Sequence, residues 1–227
     1  MVTTLYLVRH GETEGQEKQC YYGSTDVGLS VRGTVQVEGA AAFIVEHLQA
    51  PGRDGRNGSD CTLAAVYCSG LKRAIDSAGV IAGPQGLKPI EIADLGERSF
   101  GLWEGLTFEE IENNHPEGFA LWLADPLTYS PEGGENAWQV RERAIRSIEL
   151  VVARHRGANL SVVAHGGVNR IIIGHLLGMP LENIFRLEQD YGAVNIIEFW
   201  DAYPVVKLMN HRPGADREQP GKENRRD

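Results

Sequence analysis

The chain predicts an α/β fold: a three-layer α/β/α sandwich around a mainly parallel sheet with an antiparallel edge. Three observations lead there. Short apolar runs recur at residues 3–8, 63–68, 89–93, 160–164, 194–200 and 205–209, each the length of a buried strand. Helical patterns at 30–48, 71–83, 136–156 and 168–177 alternate with them, and such alternation implies parallel strands covered by helices on both faces. The last two runs are joined only by Asp201-Ala202-Tyr203-Pro204. That is too short for a crossover, so those two strands pair antiparallel.

The first run, Leu5-Tyr6-Leu7-Val8, leads directly into Arg9-His10-Gly11. A turn in that position falls at the carboxyl edge of the sheet, where open α/β folds bind ligands. The run Leu160-Ser161-Val162-Val163-Ala164 repeats the construction and ends in His165-Gly166-Gly167. Parallel neighbouring strands would bring both histidines out at one edge. The 63–68 run ends in Cys68, and Arg73 follows near the start of the next helix. Backbone N–H groups and the positive helix end favour an anion there.

Residues 103–138 read as short helices and turns that hold Trp103, Phe108, Phe119, Trp122 and Trp138. Most of these rings are expected in a small satellite core. Residues 50–60, rich in Gly, Asn, Asp and Arg, read as a surface loop. From 211 to 227 the charge is mixed, two prolines occur and no apolar anchor is present, so this tail is expected to be disordered. One domain over 1–210 follows, a length that suits a single full core.

Composition excludes several classes. Lys and Arg number 22 against 31 Asp and Glu, a formal charge of −9 with no basic run before the tail. Nucleic acid and anionic membrane are therefore not expected as partners. No apolar stretch reaches spanning length and no leader pattern opens the chain, so a cytoplasmic location is expected. Cys20, Cys61 and Cys68 show neither CxxC nor zinc-like spacing. Cys68 reads as a small core residue, and no disulfide framework is expected. With no HExxH or carboxylate-rich motif, neither a metal nor a cofactor is expected. His47, His115, His155, His175 and His211 lack any partner pattern and read as structural.

Five blocks in order carry a family resemblance. Arg9-His10-Gly11-Glu12-Thr13 resembles the signature of the histidine phosphatase superfamily, in its phosphoglycerate mutase-like branch. Gly23-Ser24-Thr25-Asp26 with Leu29-Ser30, Ser69 to Ala74, Leu95 to Gly105, and Val163 to Arg170 resemble the blocks that follow it. The resemblance covers residues 1 to about 210 and implies a helical cap inserted at about 103–138, over the carboxyl edge. It also allows one or two cap rings to face the substrate.

What the resemblance implies is phosphate monoester chemistry with a small-molecule phosphate ester as partner. His10 would attack phosphorus and form a phosphohistidine. Arg9 and Arg73 would clamp phosphoryl oxygens with planar forks. His165, protonated, would donate to the phosphoryl group. Glu97 would act as general acid and then base, its proton kept available by an apolar wall. Thr13, Gln16, Tyr22, Gly23 and Gly166 would complete the substrate site. Two positions depart from the family pattern: Gln16 stands where relatives carry asparagine, and Cys20 where many carry arginine.

Between Arg98 and Arg141 the chain has no lysine or arginine but eight acidic residues, Glu104, Glu109, Glu110, Glu112, Glu117, Asp125, Glu132 and Glu135. Phosphoglycerate mutases need cations in that region, so a phosphatase acting on a singly phosphorylated, otherwise neutral or cationic compound is expected. Tyr21 to Asp26 and Asp190 to Asn195 bring the resemblance closest to the α-ribazole phosphatases of cobalamin biosynthesis. A mutase-type phosphotransferase and a phospho-ligand-binding module without turnover are the alternatives. The second would be expected to have lost His10 or Glu97, and both are present.

Overall fold

The structure, a computed structural model, describes residues 1–15, 20–50, 61–201 and 203–214. In chain order its strands are β1 (Val2–Arg9), β2 (Leu63–Cys68), β3 (Ile90–Glu91), β4 (Asn159–Ala164), β5 (Val194–Trp200) and β6 (Tyr203–His211). Its α-helices are α1 (Val31–Gln49), α2 (Lys72–Ala82), α3 (Phe108–Asn114), α4 (Pro116–Ala124), α5 (Ala137–Arg154) and α6 (Gly166–Leu176). The sheet order is β3-β2-β4-β1-β5-β6. β1 runs parallel to β4 and antiparallel to β5, and β6 closes the far edge antiparallel to β5.

The two-residue period of a strand explains the layers. Leu5 and Leu7 point to one face and join Leu160, Val162, Ile148 and Ile172 under α5 and α6. Tyr6 and Val8 point to the other and join Val163, Val37, Ile44 and Ile81 under α1 and α2. All four β1 side chains are fully buried, and each is worth about 1.5–3 kcal/mol of burial relative to exposure. Side-chain caps fix the starts of α1, α3 and α5. Ser30 accepts the Gly33 N–H at 3.0 Å to begin α1, while Asn136 with Gln139 forms a capping box on α5.

Three boundaries differ from expectation. The 89–93 run yields only the two-residue β3, because it lies at the sheet edge with Ile90 exposed, and a 3₁₀ turn takes over at Ala93–Leu95. β6 runs on to His211, whose ring packs 4.5 Å from Phe43, so His211 belongs to the sheet and not to the tail. A 3₁₀ helix at Leu181–Arg186, unmarked in the sequence pattern, buries Leu181 and Ile184. Residues 51–60 and 215–227, the bulk of the expected loop and tail, lie outside the described residues.

Between β3 and α5 the chain forms a 3₁₀ turn at Gly101–Trp103 and then α3 and α4. Trp103, Ile111 and Phe119 are buried there as a separate cluster, with Trp122, Tyr129 and Phe100 packed against it. Trp103 stacks on Tyr129 at 5.5 Å, and Phe108 meets Phe119 edge-on at 4.7 Å. Trp138 stands apart, half-exposed on α5. Among the described residues no helix is long and apolar enough to cross a membrane.

Candidate active site

The parallel pairing of β1 with β4 aligns Arg9 with Ala164, and the His10 N–H donates to the Ala164 carbonyl at 3.1 Å. His10 and His165 therefore leave the sheet side by side, ring centres 5.0 Å apart. Both are buried. His10 Nδ1 lies 2.7 Å from the Gly11 carbonyl oxygen, which can only accept. Nδ1 thus carries the proton, and Nε2 carries the lone pair. Burial, then the Arg9 and Arg73 guanidinium groups, hold the His10 pKa well below the ordinary histidine value. The result is a neutral, oriented imidazole.

His165 differs from its expected state. Its Nδ1 accepts from Arg73 Nε at 3.3 Å, and its Nε2 lies 2.7 Å from Ser69 Oγ. An acceptor at Nδ1 leaves the proton on Nε2, so the ring is neutral, with both nitrogens engaged inside the protein. Complete burial, followed by His10, Arg73 and Arg9, pushes its pKa well below the ordinary value. The protonated His165 that the resemblance implied is corrected on these grounds. Its Nδ1 holds the Arg73 Nε–H.

Arg9 lies with its guanidinium carbon 3.7 Å from the Tyr191 ring centre. One terminal nitrogen donates to the Gln189 carbonyl at 2.6 Å, and its Nε is a buried donor with no partner among the described residues. Arg73, in the first turn of α2, is 1% exposed and donates to the Tyr22, Gly23 and Thr25 carbonyls. The start of α2 is occupied by the Asp26 carboxylate, which accepts the Lys72 N–H at 2.6 Å. Glu97 spans the opposite wall. Its two oxygens accept the Arg98 N–H and the Gly167 N–H, each at 2.9 Å. Two backbone donors, one of them from the start of α6, thus hold the carboxylate that was expected against an apolar wall.

Glycines at the start of α6 make this approach possible. A side chain on Gly167 would come within 2.6 Å of the Glu97 carboxylate, and one on Gly166 within 3.2 Å of the Arg9 guanidinium. Gly166, an expected substrate contact, therefore makes room for the clamp.

These groups enclose a cavity of about 110 Å³ lined by Arg9, His10, Arg73 and Glu97, with Thr13, Cys20, Tyr22 and Tyr191 around them. Sites that swallow a whole ligand are typically about 300–1,000 Å³, so this one admits a head group and leaves the remainder at the mouth. Thr13, buried, pairs with Leu29 in an isolated bridge, and Gly23 serves through its carbonyl on Arg73. Gln16 lies outside the described residues. No cap tryptophan or phenylalanine is among the described residues that line the cavity; its tyrosine rings are Tyr22 and Tyr191. Other cap features serve the fold. Glu110 caps α3, Asp125 accepts from Thr128, and Glu135 pairs with Arg143 at 2.7 Å.

Sequence reasoning missed Tyr191 as a contact, although it lies in a quoted block. It also missed the support beneath it. Gln189 and Asn195, both fully buried, exchange two side-chain hydrogen bonds at 2.8 and 2.9 Å, and Asn195 also donates to the Leu7 carbonyl. That pair fixes the carbonyl that holds Arg9. Only the packed structure reveals it.

A neutral histidine facing a carboxyl group across a two-arginine cavity, at the carboxyl edge of a mixed α/β sheet, defines a phosphoryl-handling site of the histidine type. The chain belongs to the histidine phosphatase superfamily (branch 1), whose family model matches residues 5–212. It is 34% identical over 209 residues to the bifunctional protein Rv2228c of Mycobacterium tuberculosis, covering 92% of this chain and 54% of that one. The chain thus spans about half the length of that relative. It is 30% identical to phosphoserine phosphatase 1 of Hydrogenobacter thermophilus, covering 91% of each chain. The crystal structure of the α-ribazole phosphatase from Shigella flexneri superposes with a TM-score of 0.81 at 26% identity, covering 97% of this chain and 100% of that one.

Proposed function

We propose that this chain is a metal-independent phosphatase that hydrolyses a small-molecule phosphate monoester in the cytoplasm through a phosphohistidine on His10. The observation that carries the reading is the Nδ1–H of His10 on the Gly11 carbonyl, which leaves Nε2 as a lone-pair nucleophile beside Arg9 and Arg73. Nε2 forms the bond to phosphorus as the ester P–O bond breaks, and Glu97 gives its proton to the departing oxygen. Glu97 then takes a proton from water, whose oxygen displaces the histidine and releases phosphate. The two guanidinium groups offset the charge on the phosphoryl oxygens, a task that a metal ion performs elsewhere.

Substrate choice follows from where the other cations are spent. Arg98 donates to the Glu135, Pro126 and Tyr129 carbonyls, and Arg143 to those of Asp94, Gly96 and Glu97. Neither reaches outward, and the cap adds no lysine or arginine. A second anionic group on the substrate would find no partner among these. Tyr22 and Tyr191 in the lining favour an aromatic or otherwise apolar remainder. α-Ribazole 5′-phosphate has that chemistry, and the likeness to α-ribazole phosphatases supports it.

The test is phosphate release, with EDTA present, from α-ribazole 5′-phosphate, phosphoserine, 3-phosphoglycerate, sugar phosphates and nitrophenyl phosphate. Preference for α-ribazole phosphate is the expected result. Equal rates would make the enzyme a generalist, and isomerisation of 3-phosphoglycerate would make it a mutase. Phosphate binding without release from any compound would make it a binding module. Activity lost in EDTA and restored by a divalent ion would overturn the metal-independent mechanism. Replacing Glu97 with glutamine is expected to slow alkyl phosphates by about 10²–10⁴-fold, the usual worth of a positioned acid. Nitrophenyl phosphate, whose leaving group needs no proton, is expected to lose far less, and equal losses would remove Glu97 from the acid role.

A further inference from the structure

One carboxylate in the cap gathers an unusual number of donors. Glu104 accepts the backbone N–H groups of Gly23, Ser24, Thr25 and Phe100 at 2.8–3.0 Å, and the hydroxyls of Ser24 and Thr25 as well. Burial alone would raise its pKa, but the Thr25 hydroxyl and the N–H groups of Phe100, Ser24 and Thr25 hold it below the ordinary value. Across the same short turn, the carbonyls of Tyr22, Gly23 and Thr25 face the opposite way and accept from Arg73 at 3.2, 2.6 and 2.7 Å. The turn is thus pressed between an anion that takes its N–H groups and a cation that takes its carbonyls. Arg73 Nε then donates to His165 Nδ1, beside the His10 ring.

We propose that Glu104 is a positioning residue for the phosphate clamp: by ordering the Gly23–Thr25 turn it fixes the Arg73 guanidinium and, through it, His165. The assignment rests on the phosphatase reading of the cavity. The carboxylate polarises the peptides whose Gly23 and Ser24 N–H groups it holds, so the Tyr22 and Gly23 carbonyls of those peptides become better acceptors for Arg73. It also ties the cap to the floor of the cavity, because Glu104 follows the buried Trp103 of the cap cluster. In composition Glu104 is one more acidic cap residue; in the structure its charge is turned inward, onto the clamp.

Coupling between Glu104 and Arg73 is the test, read as affinity for inorganic phosphate by titration calorimetry, which does not depend on turnover. Glu104→Gln keeps the shape but turns an amide NH₂ toward N–H donors. It is expected to weaken phosphate binding about tenfold, within the range that directly coupled side chains show. In an Arg73→Lys background, where the planar fork is already gone, the same change is expected to cost less than twofold. Equal losses in the two backgrounds would overturn the proposal, since a general loss of fold is indifferent to Arg73. Thr25→Val, which removes one hydroxyl from the carboxylate and leaves the cap intact, is expected to show a smaller loss with the same dependence on Arg73. Its failure to do so would overturn the proposal even where Glu104→Gln does not fold. Wild-type turnover measured alongside reports on the phosphatase reading separately.

Discussion

His10→Ala is expected to lower phosphate release by about four orders of magnitude or more, the scale on which loss of a catalytic nucleophile is felt. The fold should persist, because His10 makes its turn through backbone bonds, its N–H to Ala164 and its carbonyl to the Gly192 N–H. Rapid-quench capture of a phosphorylated protein from the wild type, and none from the variant, would establish the covalent step. Turnover surviving the substitution would move the nucleophile elsewhere; among the described residues the neighbouring neutral imidazole is His165, its ring centre 5.0 Å away. Both nitrogens of His165 are engaged, Nδ1 by Arg73 and Nε2 by Ser69.

Acidification is expected to unfold this protein before it disables its chemistry. His10 and His165 are held neutral in the folded state, with pKa values well below the ordinary 6.5. In the unfolded chain each regains that value, so below about pH 6.5 the unfolded state binds more protons. Stability therefore rises with pH up to that point and levels off above it; it is lost as pH falls. Each group contributes a slope approaching about 1.4 kcal/mol per pH unit below its unfolded pKa. Urea midpoints at pH 7.5, 6.0 and 5.0 should fall steadily, and His10→Ala should flatten part of the slope. A midpoint that is flat from pH 7.5 to 5.0 would show that the two rings are not buried neutral. Nucleophile competence, by contrast, should persist into that acidic range, because folded His10 stays unprotonated.

The contrast shows what the sequence discloses and what it withholds. Two apolar runs each followed by His-Gly were legible because a strand buried on both faces leaves an unbroken hydrophobic signature, and β1 and β4 are such strands. Arg73 was legible from its place near a helix start as well as from its family block, and Glu97 chiefly from the block around it. The charge state of His165 was not legible, since it depends on Ser69 and Arg73 arriving from β2 and α2. The fate of cap charges was hidden for the same reason. A count of acids cannot tell Glu135, paired with Arg143, from one left in solvent. The structural reading of the other histidines holds where partners are seen: His47 lies 2.9 Å from the Tyr6 hydroxyl and His155 2.8 Å from that of Tyr67.

The parallel pairing of β1 with β4 has a consequence for how such an enzyme can change. Neighbouring strands in any sheet lie about 4.7–4.9 Å apart, and the two histidine rings that leave these strands are 5.0 Å apart. The strand pairing thus sets where the two backbones leave the sheet, a ruler made of peptide hydrogen bonds, while contacts to Gly11, Ser69 and Arg73 orient the rings. Loops and cap are free of that ruler. Exchanges at Tyr22 or Cys20 can redraw what the cavity accepts while the strand pairing that brings the two histidines together stays fixed, so this architecture can take on new substrates without re-deriving its chemistry.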